Sequence, residues 1–395
     1  MTKYILCLGD GMADHPIAEL GNKTPLEFAF TPNMDRIAQN GQSGMVHTVP
    51  DGYSPGSDVA NMGILGYDPR EFYTGRGPIE AASMGIKVPD EKIVFRCNLV
   101  CIENGIMKDF TSGHISTEEA DSLMKELDTH FNDLDFFSGV SYRHIVLMKK
   151  SFLNLKTVAP HDITDQKVDK FFPKGENEIE MMAIIDEAHR ILMSYDVNKK
   201  RAENGQSMAT HIWLWSQGPL PKYSSFKSKY GIDGGIVTAV DLLKGLATLS
   251  GLKSPDVEGA TGFIDTNYKG KVDAGLALLE SSDFSYIHIE APDEAGHMGD
   301  YKLKIKAIED FDAKVVGPVL EYQSKNPTIN VMVLPDHPTP CAVKTHTHEP
   351  VPYALYYDGI EIDKQQCYSE NEARNGNGRE FQFPWELLDY FILQK

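Results

Sequence analysis

Short apolar runs closed by turn residues recur along this chain, and their spacing separates two regions. Residues 4–11 (YILCLGDG) read as a buried strand that stops at Asp10. After residue 209 the runs 209–215, 235–240, 286–289, 330–334 and 351–357 alternate with helical-period segments at 240–249, 272–281, 302–320 and 386–393. Strand–helix alternation of this kind predicts a mostly parallel sheet flanked by helices, an α/β fold, and the first strand belongs to the same sheet. Residues 31–38 read as a helix start, with Thr31 as N-cap and Pro32 at its first position. From about Ser83 the pattern changes. Strands at 94–102, 107–110, 140–148 and 154–158 are spaced like hairpins around an amphipathic helix at 116–131 and a longer one at 176–196. Ser116 and Glu119 have the spacing of a capping box. Residues 1–84 and 205–395 therefore form one domain, and 85–204 form an inserted α+β domain.

Composition narrows the class. The chain has 395 residues and is 41% hydrophobic, enough for ordinary cores. A net charge of −19 disfavours a nucleic-acid partner. No apolar run approaches the roughly 18 residues a spanning helix needs, so no membrane association is expected. The N-terminus leads straight into a strand without a cleavage pattern, and a soluble cytoplasmic protein is expected. Cysteines at 7, 97, 101, 341 and 367 form no C-x-x-C pair and read as reduced core residues.

The candidate chemistry lies at the strand ends. Asp10 ends the first strand; Asp336-His337 ends the strand at 330–334; the strand at 286–289 is followed by Pro292, Asp293 and His297. If a helical turn starts at Pro292, Asp293 and His297 share one face. Ligands in open α/β sheets gather outside the carboxyl ends of the strands. With His346 from HTHEP, the candidate metal ligands are Asp10, Asp293, His297, Asp336, His337 and His346, and His348 is left out. Six oxygen and nitrogen donors exceed one tetrahedral ion and suit two divalent ions, and with no thiolate among them Mn²⁺, Mg²⁺ and Zn²⁺ are all chemically reasonable. Ser57 stands where a turn, Pro55-Gly56, meets an apolar helix. It is either an N-cap or a nucleophile whose phosphate the helix N-terminus would stabilise. Arg76 lies between two glycines, a loop that lets backbone and guanidinium approach a ligand.

The stretches LGDGM, PGSDVANMGILGYDP, YTGRGPIEA, FRCNL, GVSYRH, WLWSQG, EAPDEAGHMGD, LPDHPTP and HTHEPVP occur in this order over nearly the whole chain. In them the sequence resembles the archaeal-type 2,3-bisphosphoglycerate-independent phosphoglycerate mutases of the alkaline phosphatase superfamily. The resemblance implies an alkaline-phosphatase-like sheet with an inserted lid domain at about 85–200. It implies interconversion of 2- and 3-phosphoglycerate through a phosphoserine at Ser57. One ion would be held by Asp10, Ser57, Asp336 and His337, the other by Asp293, His297 and His346. A small anionic phosphorylated substrate would be bound by Arg76, Arg96 and Arg143. His161 and Asp162 would serve as acid/base or hydroxyl-binding groups. The chain has Asn61 where relatives commonly have His, and Ser216 where they have Gly. These departures point toward a bacterial branch proposed to act as homoserine kinase. The same residues are also compatible with a metal-dependent phosphatase or phosphomutase, or with a binding protein that keeps the fold without catalysis. No P-loop is present for an ATP site.

Overall fold

The computed structural model describes residues 2–394, and in it the apolar runs become eleven strands in two sheets. In chain order, β1 (Lys3–Gly9) and β2 (Gln42–Val46) come first. Then follow β3 (Lys92–Glu103), β4 (Ile106–Asp109), β5 (Asp135–Phe137), β6 (Arg143–Lys149) and β7 (His211–Gly218). The last four are β8 (Gly234–Val237), β9 (Phe284–Ile289), β10 (Ile329–Leu334) and β11 (Val351–Tyr356). The chain divides into two compact units. One runs to Tyr73 and resumes at Lys222, and the other is Thr74–Pro221.

The first unit is built on a six-stranded sheet in the order β2-β11-β10-β1-β9-β8. β1 lies at its centre, parallel to β10 on one side and β9 on the other, and β8 continues the parallel set; β11 and β2 form an antiparallel edge. Strands β9 and β10 are buried along their whole length, as expected where both faces of a sheet are covered. Ile5 and Cys7, Ile287 and Ile289, and Val331 and Val333 join a core with the helices Pro32–Asn40, Tyr268–Ser281 and Tyr301–Phe311. Burying each such aliphatic side chain contributes up to about 1.5–3 kcal/mol. The alternate residues face the other way. Tyr4 meets Phe391 edge-on at 5.4 Å and donates its hydroxyl proton to the carbonyl of Ile392, 3.0 Å away, on the helix Pro384–Leu393.

Two local expectations change here. Thr31 occupies the N-cap position of Pro32–Asn40 without making a cap hydrogen bond. The Asp312 carboxylate accepts from the N–H groups of Asn33 (3.1 Å) and Met34 (2.7 Å) instead. Asp312 itself opens a π-helical stretch, Asp312–Val316, so the single helix expected at 302–320 is Tyr301–Phe311, this bulge and Gly317–Lys325.

The second unit holds an antiparallel sheet, β4-β3-β6-β5, with β7 on the other edge of β3. The sequence reading put the strand at 209–215 in the parallel sheet, and the structure corrects that. Ile212 and Leu214 of β7 enter a core with Phe95, Cys97 and Leu99 of β3 and with Met181, Ile185 and Ala188 of the helix Glu178–Ser194. Periodicity reports that a strand is covered on both faces, not which neighbour it pairs with. This unit accordingly starts at Thr74 and ends at Pro221, outside the 85–204 of the sequence reading. Residues 154–158 form no strand; Leu155 is a core residue there, and the Val158 carbonyl accepts from the Trp213 indole at 2.8 Å. Ser116 caps the helix Thr117–His130 through the Glu119 N–H at 3.2 Å, but the Glu119 carboxylate pairs with Arg201 rather than closing the box. The five cysteines are free. Among the described residues no helix is long and apolar enough to cross a membrane.

Candidate active site

Because β10, β1 and β9 are neighbours in parallel register, with Leu8 opposite both Leu334 and His288, their carboxyl ends lie side by side. Asp10 and Asp336 stand directly beyond the ends of β1 and β10. Past β9, Pro292 falls in the first turn of a helix, Ala291–Met298, which closes on a left-handed Gly299. Asp293 and His297 share its inner face, with His297 Nε2 3.2 Å from Asp293 Oδ2. Close approach here requires glycine next to Asp10. Gly11 has φ +61°, and a Cβ on it would lie 2.6 Å from Asp293 Oδ1 and from Thr339 Oγ1. Its N–H donates to Asp336 Oδ1 at 3.1 Å.

Hydrogen bonds fix the imidazole tautomers. The Thr339 hydroxyl donates to Asp293 Oδ1, so at 3.2 Å it accepts from His337 Nδ1–H. His337 Nε2 therefore carries a lone pair. It faces the Ser57 hydroxyl at 3.1 Å, Asp336 Oδ2 at 3.3 Å and Asp10 Oδ1 at 3.6 Å. His297 Nδ1 donates to the Lys344 carbonyl at 3.1 Å and His346 Nδ1 to the Pro55 carbonyl at 3.3 Å. Their Nε2 atoms meet at 3.0 Å. Three imidazoles thus donate through Nδ1 and turn Nε2 inward, the arrangement seen when histidine binds a metal. At that separation one of the two nitrogens carries a proton, or a cation sits beside both; the Asp293 carboxylate, 3.2 Å from His297 Nε2, favours either positive charge.

The donor set fits divalent ions on two further grounds. Asp10, 1% exposed, is hydrogen-bonded through Oδ2, while its buried Oδ1 has no hydrogen-bond partner among the described residues. Among the described residues the ion partners of Asp10, Asp293 and Asp336 are all imidazoles. Burial, and then the neighbouring Asp336, Asp293 and Glu290 carboxylates, push the Asp10 carboxyl well up, the mark of clustered negative charge. Burial pushes Glu290 up to about 8, with Asp293 and Glu294 adding to it. The Asp293 carboxylate raises His297 to about 9; burial lowers His337. Two donor groups emerge, Asp10/Asp336/His337 and Asp293/His337/His346. His337 reaches both, where the sequence reading gave it to one. His348 is exposed.

Ser57 is the first residue of the helix Ser57–Ile64. Gly56 is the N-cap, and no side chain caps it. The capping role open at the sequence level is therefore not the one Ser57 plays; its hydroxyl donates to His337. Asn61, one turn on and 0% exposed, donates to the Ser57 carbonyl at 2.9 Å and to Asp336 Oδ2 at 2.8 Å.

Five of the predicted residues lie in the second unit. Glu80 joins two arginines there, with Arg76 Nε at 3.1 Å and Arg96 Nε at 2.8 Å. Arg96 is buried and stacks on Trp215 at 4.2 Å; the His161 ring meets the same indole edge-on at 5.5 Å. Burial lowers the Arg96 guanidinium, Glu80 opposes this, and Arg76 and Arg143 add to the lowering, so three cations share one field. Burial lowers His161 as well, with Arg96 and Arg76 acting in the same sense against Asp162. Arg143 is exposed beside Tyr142, and Asp162 is exposed 3.7 Å from His161. Gly77 is needed for contact, since a Cβ there would lie 2.7 Å from the Ser216 carbonyl. Ser216 has φ +50°, the region glycine favours, and its Oγ accepts from the Arg76 N–H at 3.0 Å.

Sequence reasoning gave no role to His288, Tyr286, Thr339 or Glu80, and treated Asn61 only as a departure. A signal for the first two existed. A lone imidazole and a phenol at alternate positions of an apolar strand, FSYIHI, share one face and need buried partners there.

A family model described as 2,3-bisphosphoglycerate-independent phosphoglycerate mutase matches residues 38–198. A Methanosarcina mazei protein of that name is 46% identical over 380 residues, covering 95% of this chain and 96% of its own. Among solved structures, a Pyrococcus horikoshii protein superposes with a TM-score of 0.84 at 29% identity, covering 99% of this chain and 96% of that one. A cofactor-independent phosphoglycerate mutase from Thermoplasma acidophilum gives 0.71 at 27% identity, covering 100% of both chains.

Proposed function

Since the chain belongs to the 2,3-bisphosphoglycerate-independent phosphoglycerate mutases, we propose that it interconverts 3-phosphoglycerate and 2-phosphoglycerate in the cytoplasm through a phosphoserine at Ser57. The observation that carries this reading is the Ser57 hydroxyl, 3.1 Å from the lone pair of His337 Nε2, at a helix N-terminus and beside buried carboxylates. Asp10, Asp336, His337 and Ser57 would hold one divalent ion, and Asp293, His297 and His346 a second; the identity of the ions, Mn²⁺ first, belongs to the same proposal. Bound there, the ions supply charge neutralisation and a lowered hydroxyl pKa.

The residues of the chain do the rest. Ser57 Oγ, its proton released to solvent once its pKa is lowered and the His337 lone pair is committed to the ion, attacks phosphorus. The Oγ–P bond forms as the bond to the substrate oxygen breaks, and glycerate is retained. Its other hydroxyl then attacks the phosphoserine and releases Ser57. The first-turn N–H groups of the Ser57 helix suit an anion on that oxygen. Arg76, Arg96 and Arg143 suit carboxylate and phosphate, which guanidinium binds bidentately. His161 and Asp162 exchange protons with the glycerate hydroxyls. Water must be kept from the phosphoserine, or the reaction ends as hydrolysis.

A paired assay tests the proposal. Purified protein with Mn²⁺ and 3-phosphoglycerate should form 2-phosphoglycerate without added bisphosphoglycerate. Product only with ATP plus homoserine would replace the mutase reading with a kinase. Release of free phosphate alone would make the protein a phosphatase.

A further inference from the structure

The metal seat is shaped from behind as well as by its ligands. On β9, Ile287 and Ile289 enter the apolar core, while Tyr286 and His288 face the other side, and both are 0% exposed. Burying a phenol and an imidazole in a strand that could carry two aliphatic residues is costly unless each is hydrogen-bonded. Both bonds lead to carboxylates of the seat. His288 Nε2–H donates to Asp10 Oδ2 at 2.9 Å, and the Thr238 hydroxyl donates to His288 Nδ1 at 3.2 Å, which fixes that tautomer. It is opposite to the tautomer of His297, His337 and His346, so His288 serves as a donor and not as a ligand. The Tyr286 hydroxyl donates to Asn61 Oδ1. That orients the amide so that its NH₂ group reaches Asp336 Oδ2 and the Ser57 carbonyl.

We propose that His288, and Tyr286 acting through Asn61, are positioning residues that decide how Asp10 and Asp336 are presented to the metal. Two separate relays start two residues apart on one strand face. The first occupies Asp10 Oδ2 and turns Oδ1, which accepts no hydrogen bond from the described residues, toward His337 at 3.6 Å. In the second, Asp336 Oδ1 is held by the N–H groups of Gly11 (3.1 Å) and His337 (3.0 Å), and Asn61 steers Oδ2. The same amide ties Asp336 to the backbone of the nucleophile, so ligand and Ser57 are set by one side chain. The inference rests on the metal-site reading of the previous subsection and deepens it.

Mn²⁺ binding is the test, measured by electron paramagnetic resonance titration of free Mn²⁺ together with thermal melts in excess chelator. Tyr286→Phe and His288→Leu should each weaken Mn²⁺ binding by about 10–100-fold, the range for lost outer partners of metal ligands. Metal-free melting should change little, and His288→Gln, which keeps a donor, should recover most of the affinity. The relays predict a pattern that a merely structural role would not give. Tyr286→Phe combined with Asn61→Leu should lose no more than Asn61→Leu alone, because they share one relay. Tyr286→Phe combined with His288→Leu should lose clearly more than either single variant, because the two act on different carboxylates. Affinities within about twofold of wild type in both single variants would overturn the proposal. So would losses matched by an equal collapse of metal-free stability. A wild-type protein that binds no Mn²⁺ would instead overturn the metal-site reading itself.

Discussion

Lys304 offers a severe test of how the site is held together. It lies on the helix Tyr301–Phe311 and is 0% exposed. Its ammonium donates to the Ala13 carbonyl (3.0 Å), Asp14 Oδ2 (2.8 Å) and the Thr339 carbonyl (2.9 Å), so all three protons are used. One cation thereby fastens the loop after Asp10 to the loop after His337. Lys304→Met keeps the volume and removes the charge. The Asp14 carboxyl then loses its ammonium partner in a buried place and keeps the N–H groups of His15 and Cys341 and the Cys341 thiol. Breaking a buried pair from one side costs about 3–5 kcal/mol. At about 2–4 °C per kcal/mol for a large domain, the melting temperature should fall by roughly 6–20 °C. Adding Asp14→Asn removes that carboxyl, so the double variant should lose less than the sum of the singles, by about 1–3 kcal/mol. Circular dichroism melts in excess chelator measure this at equal metal content. A Lys304→Met protein melting within about 2 °C of wild type would refute the reasoning, as would strict additivity in the double variant.

Ser57→Ala should abolish turnover and incorporation of phosphate into the protein while leaving Mn²⁺ stoichiometry close to wild type; retained activity would remove Ser57 as nucleophile. Arg96→Lys keeps the charge but loses the planar fork between Glu80 and Trp215, and the KM for phosphoglycerate should rise about tenfold or more. Burial lowers His144 to about 3, and in an unfolded chain the same group titrates near 6.5. Protons therefore favour the unfolded state between those values. The contribution of His144 is whole above pH 6.5 and is lost as pH falls toward 3, at up to about 1.4 kcal/mol per pH unit. Urea midpoints between about pH 7 and 5 should fall less steeply for His144→Gln than for wild type; parallel curves would contradict the assignment.

The clustering of these acidic and imidazole side chains was legible because they follow strand ends, where an apolar run stops at a charge and needs no knowledge of packing. Asp10, Asp293 and Asp336 were found that way, and helical spacing gave His297. What escaped depended on contacts between distant segments. Nothing local says that β7 should pair with β3, since its alternation suits either sheet. Thr31 sits where a cap belongs, but Asp312, far along the chain, makes the bonds. Ser116 and Glu119 have the right spacing, and Arg201 takes the carboxylate. Asn61 is interpretable only once Tyr286 and Asp336 lie on either side of its amide. The cluster around Glu80 depends on Trp215, which arrives from the misplaced strand.

The seating of Asp10 between two parallel neighbours has a consequence for which changes the chain can accept. β1 is held on both sides, Leu8 against Leu334 and against His288, so its backbone works as a ruler. Adding or deleting one residue within it would turn Ile5 and Cys7 out of their core and carry Asp10 one pleat away from its ligand partners. Loops far from these strand ends can lengthen or shorten during evolution without disturbing that distance. Length variation among relatives should therefore collect in such loops and spare Lys3–Gly9.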